Sequence, residues 1–98
     1  MRPEVSKLLL LGCLPSEEAS LSEVKPFEIA LEQISPPLTN EEAEALLCCF
    51  GVDDSFGLAW QLVHLIETSP DAYPDSEPEE GDNYWLKVLY ARYVNSQG

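Results

Sequence analysis

Cations are what this sequence has least of. Five Lys and Arg stand against 18 Asp and Glu in 98 residues, a formal net charge of -13. Between Pro26 and Leu86 there is no Lys or Arg at all, although most of the acids lie there. Such a stretch cannot neutralise itself by internal ion pairs, and its self-repulsion costs stability. The balance argues against direct contact with nucleic acid or an anionic membrane, both of which need clustered cations. It suits a basic protein as partner. Solubility is the plainer use of the same charge.

Other shortages exclude chemistry. Histidine occurs once, as His64, and no second His-Glu pair at helical spacing joins His64 and Glu67 to make a carboxylate-histidine metal site. Neither a metal nor a cofactor is therefore expected. The five glycines are scattered at 12, 51, 57, 81 and 98, so no loop cradles a phosphate. Ser55 lacks a nucleophile elbow, and Cys48 or Cys49 would have to react among carboxylates that disfavour a thiolate. EF-hand spacing is absent from the acidic segment. No apolar run reaches 18 residues, so a spanning helix is excluded and a cytoplasmic protein is expected.

The three cysteines, at 13, 48 and 49, do not make a disulfide framework. A bond between helical neighbours Cys48 and Cys49 would be strained, and zinc spacing is missing. Buried, reduced thiols are the expectation. Leu10-Leu11-Gly12-Cys13 is similar to a bacterial lipoprotein cleavage box, in which Cys13 would carry the lipid. The apolar run before it is short for a signal segment and Glu4 interrupts the basic residues. The alternative is a short first helix in which Val5, Leu8, Leu9 and Leu11 pack and Cys13 is a small hydrophobe.

The apolar fraction of 45% suffices for a core, and the length suits one domain over 1–98. Pro26 fits the first turn of a helix carrying Phe27, Ala30, Leu31 and Ile34 on one face, ended by Pro36-Pro37. Thr39 and Glu42 read as a capping box opening a helix with Ala43, Leu46, Leu47 and Phe50 inside and Gly51 at its end. A central helix of about 54–68 is apolar nearly all round, except for a stripe of Asp54, Gly57, Gln61, His64 and Thr68. Prolines 70, 74 and 78 then make 69–82 an extended acidic loop. Asp82 or Asn83 caps a last helix to about Val94, with Trp85, Leu86, Val88, Leu89, Tyr90 and Tyr93 on its apolar side. No strand pattern competes. The fold class is all-α, a bundle of four to five helices.

Phe50-Gly51-Val52-Asp53-Asp54-Ser55-Phe56-Gly57-Leu58-Ala59-Trp60-Gln61-Leu62-Val63-His64-Leu65-Ile66-Glu67-Thr68 resembles a core shared by a group of small bacterial proteins. That group has no assigned activity, so the resemblance implies no functional residues. In size and acidity the chain is also similar to bacterial immunity proteins, which neutralise a toxin made beside them; this is analogy of type.

The site expected from these features is a surface, not a catalytic centre. Asp71, Tyr73, Asp75, Glu77, Glu79, Glu80 and Asp82 combine carboxylates for steering with an aromatic anchor, with Glu41 and Glu44 as outer members. The expected function is occlusion of a basic toxin or nuclease domain by an immunity-type inhibitor. Two rivals remain: an acidic nucleic-acid mimic acting on a defence protein, and an enzyme using His64 and Glu67 in a closed pocket. A second copy of the chain is a further candidate partner, through spare apolar surface on the last helix.

Overall fold

The computed structural model describes residues 2–51, 53, 55–71, 74 and 76–97. Five α-helices follow in order: α1 (Pro3–Leu11), α2 (Leu21–Glu32), α3 (Asn40–Leu46), α4 (Leu58–Ile66) and α5 (Tyr84–Gln97). Single 3-10 turns at Leu47–Cys49 and Ser55–Gly57 link α3 to α4, and no strand occurs among the described residues. The all-α architecture is as the periodicity requires. Helix α1 packs on α2 and α3, and α4 packs on α2, α3 and α5.

Helix α4 is central because it contributes Leu58, Ala59, Leu62, Val63 and Ile66 to the core, a stripe at helical spacing. It begins later than its apolar pattern suggests. The backbone turns left-handed at Phe56 (φ 58) and Gly57 (φ 88), which breaks the helical path ahead of Leu58. Asp53 is also committed elsewhere. Its carboxylate accepts the Glu17 N–H at 3.0 Å and its carbonyl accepts the Trp85 indole N–H at 3.0 Å, so it does not open the helix. At the other end Thr68 donates its hydroxyl to the Leu65 carbonyl (2.6 Å) and accepts the Leu38 N–H (2.9 Å), tying α4 to the entry of α3.

Helix α2 starts five residues before Pro26, with Ser20 in the N-cap position and Pro26 inside. A proline there removes one intrahelical hydrogen bond. Burial of Val24 together with Phe27, Ala30 and Leu31 at helical spacing outweighs that loss. The expected partner on this face, Ile34, is buried just beyond the helix end.

The amino-terminal segment is a packed helix. Val5 and Leu8 are fully buried and Leu9 packs against the core, whereas Leu11 is exposed. Of the three thiols only Cys49 is buried; Cys13 and Cys48 face solvent, a correction to the expectation of buried thiols. The reason is that Cys13 follows the left-handed turn at Gly12 (φ 89) and Cys48 lies on the outer side of the turn after α3.

Thr39 and Glu42 form the capping box: the Glu42 N–H donates to the Thr39 hydroxyl (3.1 Å) and the Thr39 N–H to the Glu42 carboxylate (3.0 Å). Glu42 does more than cap. Its side chain is 1% exposed and takes two guanidinium N–H bonds from Arg2, at 3.0 and 3.1 Å, plus the Arg2 backbone N–H at 3.1 Å. Arg2 also donates to the carbonyls of Ser35 and Pro37, clamping the α2–α3 connection. Those bonds outweigh burial and hold the Glu42 carboxyl down at about 2, below its ordinary 4.5, while the same bonds raise Arg2.

A depressed carboxylate contributes fully above its unfolded value and loses that contribution as pH falls through its folded one. Glu42 therefore stabilises the fold at neutral pH, and the contribution fades between about pH 4.5 and 2. Glu42→Gln, which keeps a capping acceptor, is expected to lose about 2 kcal/mol at pH 7 and to flatten the acid limb of stability. Glu42→Ala is expected to lose more, about 3 kcal/mol, because the cap goes too. Urea unfolding from pH 7 down to pH 2 checks both.

Candidate protein-binding surface

The structure divides the expected acidic site into two anchored ends. At the first, Asn40 begins α3 and holds Asp71 by two hydrogen bonds: Asn40 Nδ2–H donates to the Asp71 carboxylate at 2.8 Å, and the Asp71 N–H donates to Asn40 Oδ1 at 3.0 Å. This ties Asp71 to the first residue of α3, whose exposed face carries Glu41 and, one turn along, Glu44. At the second end the Asp82 carboxylate accepts the Glu79 N–H (2.7 Å) and the Asp82 N–H returns to the Glu79 carbonyl (3.0 Å). Lys87 donates to the Glu80 carbonyl at 2.6 Å, fastening this turn to α5. Asn83, rather than Asp82, caps α5: its Oδ1 accepts the Trp85 N–H at 2.8 Å, while its amide donates to the Gly51 carbonyl at 3.0 Å.

Apart from Lys87, the donors at these anchors are uncharged N–H groups. Glu41, Glu44, Glu77, Glu79 and Glu80 are exposed, and no cation among the described residues pairs with them. Lys87, the one cation at the turn, takes a carbonyl oxygen and leaves the carboxylates charged. Of the other expected members, Tyr73 and Asp75 lie outside the described residues, as does Asp54 of the α4 stripe.

Aromatic surface adjoins the second end. Trp85 is buried and stacks with Phe50 (centroids 6.1 Å apart, 15° between planes). Two exposed rings meet it edge-on: Trp60 at 5.0 Å and 87°, and Tyr84 at 5.4 Å and 79°. Tyr84 is 65% exposed and Trp60 40%. Phe56, four residues before Trp60, is 49% exposed on its left-handed backbone, an arrangement that costs energy for a bulky residue. Sequence reasoning missed Trp60 and Phe56 as surface residues because both fall in an apolar run. Phe56 sits on the left-handed turn, and Trp60 lies on α4 outside its buried stripe.

The His64 reading fares differently. Gln61, His64 and Thr68 line a groove of about 300 Å³ with Leu31, Pro36 and Leu65, open to solvent rather than closed. His64 is exposed beside Trp60, and Thr68 has both its bonds spent on Leu65 and Leu38. Glu67 is held by Arg92 through two bonds of 2.7 and 3.0 Å, which raises the Arg92 guanidinium. Among the described residues no hydrogen bond joins His64 to Glu67, so the closed acid-base pocket this pair would need does not form. No group of three or more His, Cys, Asp or Glu is arranged to hold a metal among the described residues, and no helix there is long and apolar enough to cross a membrane.

A second groove, about 480 Å³, lies between α1 and α2 and is lined by Lys7, Leu11, Ser22, Lys25, Pro26, Ile29 and Ala30. Its two lysines make it a poor seat for a basic protein.

No protein-family model matches the chain, nor does any curated protein or solved structure. The functional reading rests on the residues themselves.

Asn40→Ala removes both bonds to Asp71 without touching the core. A stability loss of about 1 kcal/mol is expected, with several-fold faster proteolytic cleavage within 69–82. Limited proteolysis read by mass spectrometry, alongside urea unfolding, checks this.

Proposed function

We propose that the protein is an immunity-type inhibitor that binds and occludes a basic toxin or nuclease domain. The observation that carries this reading is the pairing of exposed Trp60 and Tyr84, braced on buried Trp85, with a turn whose carboxylates at Glu79 and Glu80 have no cation. Aromatic area on a rigid base supplies holding energy, and uncompensated carboxylates supply long-range attraction. The carboxylates would occupy the groove that the toxin uses for a phosphate-rich substrate. Asp71, Glu41 and Glu44 extend the acidic surface at the far end of the loop. Self-association through α5, where Tyr93 and Val94 are exposed, is compatible with this role.

The two parts of the surface separate kinetically. Capture on immobilised protein at low ionic strength, with elution by a salt step, is expected to recover a basic protein in stoichiometric amount. Glu77→Lys/Glu79→Lys/Glu80→Lys is expected to slow association with it at least about tenfold and to flatten the salt dependence. Trp60→Ala and Tyr84→Ala are expected to speed dissociation by about tenfold or more with little change in association. The captured protein's activity on nucleic acid or on cells is expected to fall to zero at one equivalent. Recovery of no basic protein, or one bound equally well by the charge-reversed variant, overturns the proposal. Competition by DNA or RNA for a captured protein that has no toxic activity of its own favours the nucleic-acid mimic instead.

A further inference from the structure

Two cysteines with exposed thiols, 35 positions apart in sequence, come together at the junction of α1 and the turn after α3, where the thiol of one reaches the backbone of the other. The Leu14 N–H donates to the Cys49 carbonyl at 2.7 Å, which lays residues 13–14 against residues 48–49. Cys13 Sγ lies 3.5 Å from the Cys48 carbonyl oxygen and donates to it. Cys48 Sγ is also exposed and donates to the Ala45 carbonyl at 3.2 Å. Behind them Cys49 is 1% exposed. Its thiol is pushed up to about 12, first by burial and then by its neighbours Cys48 and Cys13.

We propose that Cys13 and Cys48 are a disulfide-forming pair, oxidised by exchange with a small-molecule disulfide. The Cys13 thiolate attacks one sulfur of the small disulfide, forming a mixed disulfide and expelling one thiolate. The Cys48 thiolate then attacks the Cys13 sulfur, forming the Cys13–Cys48 bond and expelling the second. Two protein thiols lose two protons and two electrons, and the small disulfide is reduced to two thiols. Cys48 resolves the intermediate rather than Cys49 because only Cys48 is accessible, and a buried thiol held protonated is a poor nucleophile. Cys48 and Cys49, as chain neighbours, are unsuited to pair with each other.

The bond would staple the end of α1 to the end of α3. Helix α1 carries Val5 and Leu8 with Arg2 in its N-cap position, and only a short turn at Gly12 and Cys13 follows it before Leu14 re-enters the core. Closing a loop from 13 to 48 removes freedom from the unfolded chain and opposes loss of α1.

Oxidised glutathione is the probe. Titrated into the folded protein, it is expected to remove two hydrogens from the intact mass, with peptide mapping giving Cys13 linked to Cys48. The melting temperature is expected to rise by at least about 5 °C and to fall back on reduction. Cys13→Ser and Cys48→Ser are expected to stop at a mass increase of one glutathione, and Cys49→Ala to form the same Cys13–Cys48 bond as the parent. Because Cys49→Ala opens a small space in the core, mapping of the parent chain decides the pairing by itself. Glutathione adducts without an internal bond, a Cys13–Cys49 linkage, or disulfides only between chains would each overturn the proposal.

Discussion

A carboxylate taken wholly out of water has to be met by a cation and by hydrogen bonds, or it will not stay charged. Glu42 sets that condition, and most of the amino-terminal half is arranged to satisfy it. Arg2 supplies the fork, its backbone N–H supplies a further donor, and Thr39 supplies the cap. Arg2 and Thr39 come from different segments and Arg2 also donates to the Ser35 and Pro37 carbonyls, so the α1 entry, the α2–α3 connection and the start of α3 are fixed relative to one another. The guanidinium stays partly in solvent, which lessens the desolvation that makes buried pairs costly.

The same economy of cations shapes the outside. Arg2 and Arg92 are used in ion pairs and Lys87 on a carbonyl, which leaves Lys7 and Lys25 together at the α1–α2 groove. The acidic loop must then be held without charge neutralisation. Asn40 holds one end, and the backbone amides of Glu79 and Asp82 close the other. Amide anchors add no positive charge to the loop, and the lysine at its second end, Lys87, meets a carbonyl rather than a carboxylate. Its position is fixed at both ends while its charge remains available.

What could be read from the sequence was local. The capping box at Thr39 and Glu42 is an i, i+3 pattern and was legible as such; its second role, 40 positions from Arg2, was not. The apolar stripe of α4 was legible, but its start was misplaced because Asp53 is claimed by Glu17 and Trp85 from distant segments. Pro26 suggested a helix start, and burial of Val24 overrode it. The cysteines illustrate the same limit. Their spacing excluded a framework and gave no sign that Cys13 and Cys48 share a surface, because a single backbone bond between Leu14 and Cys49 makes that contact. For the candidate surface, the carboxylates were visible as a run, while Trp60, set in an apolar run, lies outside the buried stripe of α4 and Phe56 sits on a left-handed turn that periodicity does not encode.

Charge alone would give a weak and indiscriminate binder. At physiological ionic strength a carboxylate's field is screened within roughly 8 Å, so acids in this loop act on a partner chiefly during approach. Residence then depends on apolar area that does not have to be ordered at the moment of contact. Trp60 and Tyr84 meet that need because both already rest edge-on against Trp85, which is itself fixed by Phe50, Asn83 and Asp53. The bracing reaches the acidic turn through the same residues: Asn83 caps the helix that bears Tyr84 and follows Asp82 directly. Steering and holding elements are thus mounted on one support. Under the proposed function, a basic partner drawn in by Glu79 and Glu80 would arrive at rings already in place, and selectivity for one basic surface over many would follow from that arrangement.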